Sequence, residues 1–305
     1  MSPPLLVILN PWAGRGRGAK ARNLVMRALK DSGQPFDYAE TTGPGHAVGL
    51  AREAAGIGVT RIVCAGGDGT VHEVANALLH LAPTADGGTP AALGCIPLGT
   101  GNDFHKLVGV HGLPPEVAMA RMLQAAPVLF DVGRVDGEYF DNIFGIGFDA
   151  EVVRHSNRIR RLKGMAVYLA AIYRTFVTFR PPHLEIVTAE HRESGPAMMV
   201  SVNVGVCGGG GFYLTPQADP TDGRLDLCII RKVGTWRFLR AVPRVMKGTH
   251  GALDEVTLLQ TASVTVRALD GRPLVVQLDG ELRESKQTEL TVSVVPHRLR
   301  VLRAA

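Results

Sequence analysis

The segment Ile62-Val63-Cys64-Ala65-Gly66-Gly67-Asp68-Gly69-Thr70-Val71-His72-Glu73-Val74 constrains the fold more than any other. An apolar run breaks into Gly-Gly-Asp-Gly-Thr, and Val71, Val74, Ala75 and Leu78 then recur at helical spacing. The pattern predicts a strand, a tight turn and a helix. Glycines let the backbone approach a ligand and take positive φ without steric cost. A helix N-terminus offers unpaired N–H groups and the positive end of a dipole, which suit phosphate. Asp68 adds a carboxylate to the same turn, which suits magnesium held between protein and phosphate. The plain alternative is an ordinary strand-to-helix turn.

Two further segments repeat the arrangement. Leu5–Leu9 is an apolar strand followed by the basic, glycine-rich run Asn10-Pro11-Trp12-Ala13-Gly14-Arg15-Gly16-Arg17-Gly18. Ala92–Pro97 is followed by Leu98-Gly99-Thr100-Gly101-Asn102-Asp103-Phe104, where Asn102 or Asp103 can cap a helix. Ligands of open α/β sheets sit at the carboxyl ends of strands, where such turns cluster. Strands are expected at 5–9, 36–40, 61–65 and 92–96, with helices at 19–31, 46–56, 70–81 and 115–125. That alternation predicts a nucleotide-binding α/β domain with a parallel sheet over residues 1–127.

The texture changes at Val128. Strand-like runs recur at 128–135, 138–144, 183–190, 197–206, 225–231, 263–267, 273–278 and 288–295. Asp136-Gly137 and Asp270-Gly271 stand between such runs as hairpin signals. Residues 128–305 therefore read as an all-β antiparallel sandwich, interrupted by helical insertions near 149–178 and 235–247, with a last strand or two free to return to the first domain.

The 305 residues are 46% hydrophobic, enough for two cores, and the net charge of +5 suits anionic partners. Aromatics are few and no long basic run occurs, which argues against nucleic acid. Cys64, Cys95, Cys207 and Cys228 are scattered without metal-ligand spacing and read as reduced, packed thiols. Met1-Ser2-Pro3-Pro4 lacks the charged start of a signal peptide, and no run reaches the ~18 apolar residues of a membrane span, the nearest, Met165–Phe179, being too short and containing Arg174. A cytoplasmic protein is expected.

Other residues carry chemistry. The strand Leu274–Leu278 ends in Asp279-Gly280-Glu281, which reads as a plain hairpin or as a carboxylate poised to take a proton from a hydroxyl. Asp219-Pro220-Thr221-Asp222-Gly223-Arg224-Leu225-Asp226 reads as a stabilised turn or as oxygen donors for a hard cation. Arg154, Arg158, Arg160, Arg161 and Lys163 precede the apolar run Met165–Phe179, a solvated face or a surface for an anionic bilayer. Gly208-Gly209-Gly210-Gly211-Phe212 reads as a flexible loop.

On Gly66–Thr70, Pro97–Phe104 and Asn142-Ile143-Phe144-Gly145-Ile146-Gly147-Phe148-Asp149-Ala150, the chain resembles the diacylglycerol kinase catalytic family, from Asn10 to Glu281. That family includes bacterial lipid kinases and sphingosine and ceramide kinases. The resemblance implies the same two-part division and an ATP-dependent lipid kinase that uses Mg2+. It implies ATP contacts at Asn10, Pro11, Trp12, Ala13 and Gly14, at Gly66, Gly67, Asp68, Gly69, Thr70, Val71 and His72, and at Thr100, with Asn102 beside it. Thr41, upstream of Gly45-His46, completes that set, with Thr42 as its neighbouring alternative. It implies Glu281 as proton acceptor, Asp279 as a supporting or metal-facing group, and Asp68 beside the catalytic magnesium. A second magnesium is implied at the carbonyls of Asp219 and Arg224 and the side chain of Asp222. The partners implied are a lipid substrate and, transiently, the anionic inner face of the membrane; the sequence leaves a homodimer open. An NAD kinase shares the Gly-Gly-Asp-Gly turn and is the rival enzyme. A non-catalytic lipid or nucleotide sensor is the rival of another class.

Overall fold

The computed structural model describes residues 4–156, 158–159 and 165–304. They group into two compact units, Met1–Val132 with Pro296–Ala305, and Gly133–Val295.

In the first unit, strands β1 (Leu5–Leu9), β2 (Asp37–Glu40), β3 (Arg61–Gly66) and β4 (Ala92–Pro97) form a parallel sheet in the order β2-β1-β3-β4. Val301, on the last strand of the chain, pairs in parallel with Leu93 of β4. Helices α1 (Ala13–Asp31), α2 (His46–Gly56), α3 (Asp68–Leu79), α4 (Phe104–Leu107) and α5 (Pro115–Gln124) follow the strands. Helix α1 packs with α5, and α2 packs with α3. β1 is buried throughout, as continuous apolar runs in a parallel sheet require, whereas β2 is the half-exposed edge. Pro115 opens α5, where its missing N–H costs nothing.

The boundary between the units lies inside β5 (Ala126–Val135), a few residues beyond the position expected from sequence. Asp136 (φ 51°) and Gly137 (φ 84°) then turn the chain into β6 (Glu138–Phe140). Two consecutive left-handed residues are the signature of a type I′ hairpin.

The second unit continues with β7 (Ile143–Gly147), α6 (Phe148–Ser156), α7 (Met165–Thr178), β8 (His183–Val187), β9 (Arg192–Asn203), β10 (Leu225–Arg231) and α8 (Thr235–Met246). It ends with β11 (Val256–Thr261), β12 (Ser263–Ala268), β13 (Val275–Leu278), β14 (Glu281–Glu284) and β15 (Glu289–Arg303). One antiparallel layer runs β14-β13-β7-β9-β10-β11; the other joins the first half of β9 to β8, β12 and β15. Phe144, Ile146, Val200, Val202, Leu227 and Ile229 alternate along the first layer and meet Leu184, Ile186, Val264, Val266, Leu290 and Val292 of the second. The opposite face of the first layer carries Met199 and Cys228, and α6, α7 and α8 cover it through Phe148, Ala171 and Phe238.

Several sequence expectations change. The run 138–144 splits into β6 and β7, because the Asp141, Asn142 and Ile143 amides donate to a carboxylate instead of a ladder. The run 183–190 stops at Val187, where Thr188 N–H closes a turn on the His191 carbonyl. The run 197–206 begins earlier, since the polar residues Arg192–Pro196 pair with β8. Strands β11 and β14 were not expected. Asp270-Gly271 is not a hairpin, because β12 pairs with β8 and β15 while β13 pairs with β7 and β14. Only Gly271 of that pair is left-handed, and Asp270 turns its carboxylate onto Arg272. The loop Gly208–Phe212 is closed on itself by two backbone bonds of 3.0 Å between its ends. All four cysteines are buried.

Asp149, in the first turn of α6, is a buried carboxylate laid over Gly145, where a Cβ would stand 1.9 Å from its Oδ2. Burial pushes its carboxyl up to about 7, although Gln277 and the Ala150 amide work the other way. The folded state therefore binds a proton that the unfolded chain, with an ordinary value near ~3.9, has released. Between those values stability falls as pH rises, and it is flat above about 7. Asp149→Asn keeps an oxygen for Gln277 and removes the charge. It is expected to raise the melting temperature at neutral pH by roughly 2–4 °C or more, with the gain shrinking near the unfolded-state pKa. A gain independent of pH in thermal melts would contradict this.

Candidate active site

The first unit brings together the three strand-end turns. Asn10 Oδ1 accepts from the Trp12 amide at 3.0 Å, and its Nδ2 donates to Thr70 Oγ1 at 3.0 Å. Gly14, Arg15 and Gly16 are left-handed (φ 56°, 61° and 91°), so the glycine-rich loop persists into the start of α1. Arg15 bears real strain there, since only glycine takes this region freely. A Cβ at Gly14 would lie 2.1 Å from the Leu98 carbonyl oxygen, and Arg17 donates to the Gly99 carbonyl. Leu98 N–H donates to Gly66 O at 2.9 Å. Gly67 and Gly99 touch backbone to backbone: a Cβ on Gly67 would meet Gly99 Cα at 2.9 Å, and one on Gly99 would meet Gly67 Cα at 2.5 Å. The internal bonds of α3 begin with Thr70 and Val71 donating to Gly67 O, which leaves the Asp68 and Gly69 amides at its free end.

Asp68 Oδ1 accepts from the amides of Asp103 (2.7 Å) and Phe104 (3.2 Å), tying the second turn to the third. The buried His105 ring stands 3.9 Å from the same oxygen. Burial alone would raise the Asp68 carboxyl; His105 and the two amides together outweigh it and hold the group below its ordinary value. Asn102 is left-handed (φ 54°), donates to Gly99 O at 3.1 Å, and keeps a buried Oδ1 with no hydrogen-bond partner. Thr100 is exposed between them. Val71 and His72 are buried on α3, and Asn76 reaches back to the His72 carbonyl at 3.2 Å. Thr41 is buried, with its amide on the Leu9 carbonyl at 2.9 Å, one residue before Asn10. The N-terminus of α2 is already occupied: Glu73 accepts from the Gly45 and Ala47 amides at 2.8 and 3.3 Å.

In the second unit, Asp279 (φ 47°) and Gly280 (φ 86°) form a two-residue type I′ turn between β13 and β14, pairing Leu278 with Glu281. The buried Asp279 carboxylate accepts from the amides of Asp141 (3.0 Å), Asn142 (3.0 Å) and Ile143 (2.9 Å). Charge-assisted bonds of this kind fix the hairpin tip to the start of β7. Gln277 bridges the same tip, accepting from Gly280 N–H at 2.7 Å and donating to Asp149 at 3.0 Å. Glu281 is the first residue of β14 and is exposed. Sequence reasoning assigned no role to His105, Glu73, Gln277 or Asp149. Asp149 lies inside the run Asn142–Ala150, but no local pattern shows that Gln277 meets it.

The acidic turn is separate. Asp219 Oδ1 accepts from Thr221 N and Oγ1, Asp222 Oδ1 accepts from Arg224 N at 2.9 Å, and Gln260 donates to Asp222 Oδ2 at 2.9 Å. Burial, then repulsion from Asp222 and Asp219, raises Asp226 to about 6 against the opposing Gln260 bond. Of the expected basic cluster, Arg154 is paired with Glu151 at 2.7 Å and Arg158 is exposed, while Arg160, Arg161 and Lys163 lie outside the described residues. Among the described residues no helix is long and apolar enough to cross a membrane.

Comparison with known proteins bears on the family and the fold. Residues 4–135 match the diacylglycerol kinase catalytic domain, and residues 142–303 match the YegS C-terminal NAD kinase beta sandwich-like domain. The chain is 31% identical over 305 residues to a diacylglycerol kinase of Mycobacterium tuberculosis, covering 97% of this chain and 94% of that protein. It is 29% identical to a diacylglycerol kinase of Bacillus subtilis, covering 90% and 88% of the two chains. It is 31% identical to a Chromohalobacter salexigens protein named for its likeness to the lipid kinase YegS, covering 83% and 79%. The crystal structure of a diacylglycerol kinase from Bacillus anthracis strain Sterne shares the fold, with a TM-score of 0.72 at 20% identity, covering 98% and 96%. With its α/β unit, its β-sandwich and these relatives, the chain belongs to the diacylglycerol kinase catalytic-domain family of lipid kinases.

Proposed function

We propose that this protein transfers the γ-phosphate of ATP to the hydroxyl of a lipid, diacylglycerol or a close relative, working at the surface of an anionic membrane. The observation that carries the reading is the Asp279-Gly280 hairpin. Its tip is locked by three amides, so that exposed Glu281 leaves it in a fixed direction. Glu281 takes the proton of the acceptor hydroxyl, and Asp279 positions it. The first-unit turns hold the nucleotide: the free amides at the start of α3 suit phosphate, and the buried, unpartnered Asn102 Oδ1 is an acceptor in want of a donor. The Gly67–Gly99 contact admits no Cβ, so backbone alone lines this part of the cradle.

Magnesium, when bound, neutralises charge on the transferring phosphoryl group. The residues fit such an ion, since Asp68 uses only Oδ1 for the neighbouring turn and is held ionised. Asp219, Asp222 and Arg224 are candidates for a second, structural ion, because one turn gathers the hard oxygen donors that such a cation takes.

Glu281→Gln is expected to leave ATP binding intact and to lower lipid phosphorylation by ~10²-fold or more, because it removes only the base. Turnover within a few-fold of the parent would remove Glu281 from this role. Asp68→Asn preserves an acceptor for the Asp103 and Phe104 amides. It is expected to fold as the parent does and to need more magnesium for half-maximal rate, whereas Asp68→Ala also loosens the turn. An unchanged magnesium dependence in both variants would place the ion elsewhere.

A further inference from the structure

Helix α8 presents two unlike faces. Phe238 and Val245 point inward with Val242 and Met246 into the layer beneath it. On the outside, Trp236 is 78% and Leu239 49% exposed, and Pro243 continues the same edge. At 3.6 residues per turn, Arg240, Arg244 and Lys247 fall on the next edge around the helix. From Gly234 to Thr249 there are four basic residues and no acidic one. Arg237 is paired with Glu255, but among the described residues no carboxylate pairs with Arg240, Arg244 or Lys247. Helix α7 adds a second stripe, with Leu169, Tyr173 and Val177 exposed by 42%, 67% and 66% at intervals of one turn. The two helices meet through Phe176 and Phe238, stacked with ring centroids 3.9 Å apart.

We infer that α8, together with the exposed stripe of α7, is the surface by which the protein seats on an anionic bilayer. Isolated exposed apolar side chains are common, but rows on adjacent helices bordered by cations mark an interaction surface. A partner that is at once apolar and anionic satisfies both edges of α8. The headgroup region of a bilayer is such a partner, and tryptophan is enriched there. A second copy of this chain fits less well, because a symmetric contact would oppose Arg240, Arg244 and Lys247 to their own equivalents. The inference rests on the lipid-kinase reading only for why the protein needs a bilayer. The surface keeps the apolar run at Met165–Phe179 that the sequence singled out, but takes its cations from α8 and not from the Arg154–Lys163 cluster.

The test is co-sedimentation of the full chain, without ATP, with phosphatidylcholine vesicles that contain or lack phosphatidylglycerol. The parent is expected to bind the anionic vesicles and to be released by salt. Trp236→Ser with Leu239→Ser, and separately Arg240→Ser with Lys247→Ser, are each expected to weaken that binding by about 10-fold or more. Both are expected to keep the parent's rate on a monomeric short-chain acceptor. Parental vesicle binding by both variants overturns the inference. So does a loss of self-association with vesicle binding unchanged, which assigns the face to a second copy. An acidic protein is the remaining occupant, and failure of the parent to bind anionic vesicles points there and also overturns it. If the parent binds vesicles through α8 yet phosphorylates no lipid, the surface stands and the kinase reading fails.

Discussion

Gly67 and Gly99 lie so close that neither tolerates a Cβ, and the first unit's candidate site depends on that contact. It sets the ends of β3 and β4 back to back. Asp68 can then reach the Asp103 and Phe104 amides, and Leu98 can donate to Gly66. Asn10 joins the first turn to the second through Thr70. The three turns are thus one hydrogen-bonded body lined by backbone, and main-chain N–H groups are the donors a polyphosphate needs. Rigidity of this kind matters because phosphoryl transfer is mostly positioning and electrostatic stabilisation.

The second unit solves a related problem with a different device. A carboxylate exposed on a loop would swing; Glu281 instead starts a paired strand directly after a two-residue turn. Both oxygens of Asp279 accept from the Asp141, Asn142 and Ile143 amides, which holds the hairpin tip against the start of β7. Gln277 extends the support to Asp149 in the first turn of α6. Burying that carboxylate costs stability at neutral pH, a cost borne at a site where geometry counts for more.

The parallel unit was legible from sequence because its signals are local. Strands β1, β3 and β4 are apolar runs, each helix has its own spacing, and glycines mark the joins. The hairpin at Asp136-Gly137 was legible for the same reason, since both residues adopt the left-handed region. Asp270-Gly271 carries identical letters but connects strands of different layers, and partner choice is not written in a dipeptide. Strand β11 was missed because it is an edge strand with only partial burial, and the first half of β9 because polar residues hid it. The supports of the candidate site were missed for a longer-range reason. Asp279 meets residues more than a hundred positions away, and no periodicity encodes that meeting. The amphipathic character of α8 was in the sequence, but exposure of Trp236 needed the fold.

The most direct measurement is incubation of the pure protein with γ-labelled ATP, magnesium, a total lipid extract and NAD, followed by identification of every labelled product. The account predicts label on a lipid that carried a free hydroxyl, and none on NAD. Label on NAD alone, or release only as inorganic phosphate, would contradict it.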